Sequence, residues 1–106
     1  MYLPSERKGV SYMDKGLQSA AMDYFFDAVL SLENREECYQ FFDDVCTVKE
    51  LIAIAQRVEV AKMLREERTY VDIAKETGAS TATISRVNRS LNYGNKGLDM
   101  VIERTK

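Results

Sequence analysis

Residues Thr69–Tyr93, TYVDIAKETGASTATISRVNRSLNY, decide the fold of this chain, because they spell two short helices joined by a turn of fixed length. Thr69 followed by Asp72 marks a helix start, and Val71, Ile73 and Ala74 fall where that helix would touch its neighbours. Gly78 supplies a residue that enters the left-handed region without a Cβ clash. Ser80 is the next candidate N-cap, ahead of a second helix over Ala82–Leu91 with Ile84, Val87 and Leu91 on one face. Ala74 keeps a short side chain where two steeply crossing helices would meet. This is the organisation of a helix-turn-helix, a unit that lays its second helix in the DNA major groove.

Upstream, Thr47-Val-Lys-Glu50 fits a capping box and opens a long helix through Leu51, Ile54, Ala55, Val58, Ala61, Met63 and Leu64. That helix fades in the charged run Arg65–Arg68. Further back, Leu17, Ala21, Tyr24, Phe25, Ala28, Val29 and Leu32 recur at steps of three and four. A break near Glu33–Asn34 separates them from a shorter helix carrying Cys38, Tyr39, Phe41, Phe42 and Val45. The aromatic density of these two helices exceeds what a small monomer easily buries, so residues 11–45 are predicted to form a dimer interface. Residues 1–10 hold the only proline and read as a flexible arm. Downstream, Asn92–Gly97 reads as a loop and Leu98–Arg104 as a last helix with Leu98, Val101 and Ile102 facing inward. No strand alternation occurs. The prediction is an all-α fold, one helical domain over 11–106 with its helix-turn-helix at 69–92.

Composition narrows the function. The chain has 106 residues, 45% of them hydrophobic, enough for one modest core. No apolar run reaches membrane-spanning length and the charged N-terminus is no signal peptide, so a cytoplasmic location is expected. Cys38 and Cys46 lack metal-ligand spacing and are expected to be reduced, buried thiols. There is no histidine, which removes Ser-His and Cys-His nucleophile pairs and the commonest zinc ligand. The pairs Glu36/Glu37 and Asp43/Asp44 look like solvated helix faces rather than a catalytic dyad. Neither an enzyme nor a metal protein is expected.

The net charge of −2 argues at first against nucleic acid. Its distribution points the other way. Residues 1–56 carry five basic and ten acidic side chains, whereas residues 57–96 carry eight basic and five acidic ones. The basic excess lies on the half that would meet phosphates. With the turn at Gly78–Ser80, residues Ile73, Ala79, Ile84 and Val87 lock the two helices together, and Ser80, Thr81, Ala82, Ser85 and Arg86 lie opposite. Thr81, Thr83 and Ser85 can donate to phosphates or bases, Ala82 can meet a thymine methyl, and Arg86 can pair with guanine or phosphate. Arg89 and Lys75 are candidate phosphate contacts. The expected function is a sequence-specific DNA-binding regulator. The alternative is a protein-interaction module whose helix-turn-helix docks onto another regulator, which suits the acidic isoelectric point of about 5.2.

Thr47, the RVEVAKML helix, the Tyr70–Gly78 segment and ATISRVNRSL together resemble the Trp repressor superfamily, in particular its YerC/YecD branch. The resemblance covers roughly residues 11–104 and is most specific over Thr47–Leu91. It implies six helices, an intertwined homodimer built from the N-terminal helices, and repression at a palindromic operator. It also implies an effector site in which two arginines hold a tryptophan corepressor near the cap of the long helix, drawing on Thr47, Arg57 and Arg86. Arg86 matches the second arginine. The first falls on Arg57 counted forward from Thr47 and on Gln56 counted back from the helix-turn-helix, a difference that rotates the side chain by about 100°. Val87 stands where the family places a glycine that makes room for the indole. The expectation is that L-tryptophan binds weakly or not at all, leaving any effector a different molecule.

Overall fold

The protein is described here by a computed structural model covering residues 18–106; the arm expected at 1–10 and the helical stretch expected at 11–17, Leu17 included, lie outside the described residues. Those described residues form six helices and no strand: α1 (Ala20–Leu30), α2 (Arg35–Val45), α3 (Val48–Arg65), α4 (Tyr70–Thr77), α5 (Thr81–Tyr93) and α6 (Gly97–Arg104). The chain divides into two compact units at Cys46/Thr47, next to the end of the predicted dimerisation segment.

In the first unit, short-range hydrogen bonds set the helix ends. The Ser19 hydroxyl accepts from the Met22 N–H at 3.0 Å to start α1, and the Ser31 hydroxyl donates to the Ala28 carbonyl at 2.6 Å to finish it. Asn34 accepts from the Glu37 N–H at 2.9 Å, while the Glu37 carboxylate accepts from the Glu33 N–H at 2.9 Å, so α2 starts at the predicted break. Four phenylalanine rings link the two helices: Phe25 lies 5.5 Å from Phe26, 6.1 Å from Phe41 and 6.5 Å from Phe42, and the last two meet edge-on at 5.1 Å. Yet no described apolar side chain of this unit is buried; Tyr24 is 75% exposed and Leu30 79%, and the buried residue is Asp23. The cysteines also depart from expectation. Cys38 is exposed and Cys46 only half-buried, because the α1–α2 packing among the described residues centres on the phenylalanines and leaves both thiols outside it.

The second unit opens with the predicted capping box. The Thr47 hydroxyl accepts from the Glu50 N–H at 3.1 Å and the Glu50 carboxylate accepts from the Thr47 N–H at 2.8 Å. The backbone hydrogen bond from Thr47, aided by the Thr47 side chain, holds the Glu50 carboxyl below the usual carboxylate range. A carboxyl so depressed contributes stability that is present above the ordinary value and lost as pH falls through the depressed one. Glu50→Ala, which removes the carboxylate that accepts from the Thr47 N–H, is therefore expected to lower the melting temperature of the unit at neutral pH. In thermal melts the gap from wild type should close below about pH 4; an equal gap at both pH values would refute the box as its cause.

The core lies toward the carboxyl half of α3. Val60, Ala61 and Met63 are buried there with Ile73 of α4, Ala79 of the turn, Ile84, Val87 and Leu91 of α5, and Ile102 of α6. The amino half of α3 keeps its apolar stripe uncovered: Ile52, Ile54 and Val58 are exposed. Val101, expected inside, is exposed too, whereas Leu98 and Ile102 pack inward. Two ion pairs between elements brace the unit, Arg65 with Asp99 and Arg68 with Glu76, and a local one joins Glu103 to Lys106 at 2.8 Å. At the end of α5, a Cβ on Gly94 would lie 2.4 Å from the Ser90 carbonyl oxygen, so only glycine fits that close approach.

Candidate nucleic-acid interface

Three caps and one glycine build the helix-turn-helix and the long helix before it. Thr47 opens α3 as described, and Thr69 accepts from the Asp72 N–H at 3.1 Å to start α4. Gly78 ends α4 in the left-handed conformation at φ 73°. Apart from Gly78 and its two chain neighbours, no heavy atom lies within 4 Å of where a Gly78 Cβ would sit, so backbone conformation alone selects glycine there. The Ser80 hydroxyl accepts from the Thr83 N–H at 3.1 Å, and α5 begins at Thr81. Ile73, Ala79, Ile84 and Val87 all turn inward, as predicted.

The opposite face of α5 carries the candidate contacts. Ser80, Thr81, Ala82, Ser85, Arg86 and Arg89 are exposed, and the spacings 81/85/89 and 82/86 place them along one stripe. Lys75 on α4 is also exposed. Thr83 differs. It is half-buried, and its hydroxyl accepts from the Ser80 hydroxyl at 3.0 Å, so it braces the cap instead of standing on the open face. Sequence reasoning missed Ser90, which joins Ser85, Arg86 and Arg89 around a shallow groove; its position four residues after Arg86 was the available signal.

The electrostatics favour an anion. The helix α5 contains no acidic residue, and its first turn leaves the positive end of the helix dipole uncompensated. Arg65 and Arg68 are held by carboxylates, but among the described residues none of Lys75, Arg86 and Arg89 takes part in an ion pair.

Behind this face lies a crevice of about 480 Å³ between α3 and α5, lined by Arg57 and Arg86 with Ile54, Val58, Val87 and Leu98. Of the two residues in question, Arg57 lines the crevice, whereas Gln56 turns to the end of α4, donating to the Thr77 carbonyl at 3.1 Å. Thr47 does not line the crevice; its hydroxyl serves the capping box. Among the described residues, no cluster of histidine, cysteine and carboxylate is arranged to hold a metal, and no helix is long and apolar enough to cross a membrane.

Fold and site define an all-α protein whose described residues form six helices, with a helix-turn-helix among them. The family model of the Trp repressor protein matches residues 20–106. The chain belongs to the Trp repressor family, within which it groups with YerC. It is 57% identical over 90 residues to the uncharacterised protein YerC of Bacillus subtilis (strain 168), covering 85% of this chain and 86% of that one. Among solved structures, it superposes on a TrpR-like protein from Eubacterium eligens ATCC 27750 with a TM-score of 0.85 at 61% identity, covering 87% of this chain and 95% of the other. A candidate Trp repressor from Staphylococcus aureus gives 0.83 at 58% identity, covering 85% and 90%. The family is one of regulators built on this fold.

Proposed function

We propose that this chain is a sequence-specific, DNA-binding transcriptional regulator, a cytoplasmic repressor that acts as a homodimer on a palindromic operator. The observation that carries the reading is the exposed stripe of α5, where Thr81, Ala82, Ser85, Arg86 and Arg89 stand together without an acidic neighbour on the helix. Small hydroxyl and methyl groups suit close approach to base edges, and the two arginines suit guanine or phosphate. A fluorescence-polarisation titration against duplex from the protein's own promoter region tests it. Binding should weaken in Arg86→Ala and lose sequence discrimination in Thr81→Ala; a chain that docks onto proteins instead would bind neither specific nor random duplex.

The homodimer rests on the uncovered apolar side chains of both units, among them Tyr24, Leu30 and Tyr39 in the first and Val48 and Ile52 in the second. A two-fold symmetric pair presents two copies of α5 to two half-sites. Sedimentation showing a stable monomer at micromolar concentration would refute it.

The crevice between Arg57 and Arg86 is the proposed effector site, suited by its two cations to a small anion. Val87 is 4% exposed and branched, and it forms part of the wall where an indole would need open space. L-tryptophan is expected to bind weakly or not at all. The chain contains no tryptophan, so emission of the added amino acid can be followed by exciting to the red of the absorption of the chain's six tyrosines, alongside calorimetry. Tight binding in either measurement would overturn this expectation.

A further inference from the structure

We propose that Gln56 is a positioning residue for the recognition helix, tying the long helix α3 to the turn between α4 and α5; this rests on the DNA-binding reading above. Thr77 is the last residue of α4, and its carbonyl has no partner within that helix. The Gln56 side-chain amide supplies one, donating to that carbonyl at 3.1 Å from 21 residues away, while Gln56 itself is half-buried. Thr77 then passes the constraint forward. Its hydroxyl donates to the Ile73 carbonyl at 2.7 Å and accepts from the Ala79 N–H at 3.1 Å. Ala79 is 5% exposed and precedes Ser80, the cap of α5. The directional bonds thus run from α3 to the residue that leads into the cap of the reading helix.

The apolar contacts among α3, α4 and α5 hold the helices together but set their tilt only to within about 15°, because interdigitating side chains leave that much play in a crossing angle. A hydrogen bond is directional, weakening steeply with misalignment. Leverage then matters. The helix α5 has 13 residues, so it is about 20 Å long and a tilt of about 10° at the turn moves its far end by about 3 Å. Contacts to phosphate charge survive such a shift better than bidentate contacts to base edges, which need hydrogen-bond geometry. Loss of the Gln56 donor should therefore weaken discrimination between sequences more than total affinity.

The test uses the full chain with Gln56→Met, which keeps the length of the side chain and removes the donor, and Gln56→Glu, which keeps its polarity and faces a carbonyl with a carboxylate. Two readouts are taken on each folded variant: amide hydrogen exchange at Ala79, and the ratio of affinities for the operator duplex and a scrambled duplex. The expectation is about tenfold faster exchange at Ala79 and a ratio lower by about tenfold, with Gln56→Glu at least as affected as Gln56→Met. Unchanged exchange in both variants would overturn the proposal, as would equal losses of affinity for both duplexes, which mark a merely structural role. Should Gln56→Met fail to fold, Gln56→Glu is read in its place; failure of both to fold also counts against a positioning role. If the wild type shows no preference for any duplex, the DNA-binding reading fails on its own, and the exchange measurement still decides whether Gln56 fixes the turn.

Discussion

Raising salt from about 50 to 200 mM should weaken operator binding by about a thousandfold. The figure follows from the basic groups left available. Lys75, Arg86 and Arg89 are exposed and outside the ion pairs of the described residues, which makes about six cations in a homodimer. At about 0.9 counterions released per phosphate contact, the slope of log affinity against log salt is about −5. Arg86→Ala, removing one contact per protomer, should shift that slope toward zero by about two. Arg65→Ala serves as the control, since Arg65 is engaged by Asp99 and an exposed pair of this kind contributes little to folding. Its slope should match wild type. A flat salt response in the polarisation titration would remove phosphate contact, and with it the DNA-binding reading.

Ile84→Ala is expected to cost the second unit about 3 kcal/mol. Ile84 is fully buried and lies on α5 in the cluster shared with Ile73 and Val60, so truncation leaves a void that three helices must relax to fill. For a domain of this length the loss corresponds to a fall in melting temperature of roughly 15 °C. Val71→Ala on α4 is the control: Val71, expected to touch a neighbouring helix, is instead 70% exposed because it lies nearly opposite the buried Ile73 on α4, and its change should stay within about 0.5 kcal/mol. Circular dichroism melts of the two variants suffice. A shift of only a few degrees for Ile84→Ala would mean that the core does not centre on this helix.

The helix-turn-helix was legible in the sequence because its determinants are local. Thr69, Gly78 and Ser80 each act on backbone groups within four residues, and each does in the structure what its chemistry requires. The capping box at Thr47 and Glu50 was readable for the same reason. What the periodic pattern could not supply was the cover for each apolar stripe. Ile54, Val58 and Val101 lie on well-formed stripes yet are exposed, and Cys38 is exposed on an apolar face, because spacing defines a face and not what lies against it. Arg57 and Gln56 posed a different difficulty. One residue of phase on a helix separates the crevice from the turn, and only the position of Thr77, 21 residues further on, distinguishes them.

The uncovered apolar side chains of both units also bear on abundance. Under mass action, a fold completed by association gains stability with concentration, so dilution acts on it as a mild denaturant. Newly made, scarce chains would offer Tyr24, Leu30 and Ile52 to chaperones and proteases, while chains above the association threshold would conceal them. Were the proposed homodimer to form, fast clearance once synthesis stops and a steep response to its own expression level would both follow from the same side chains.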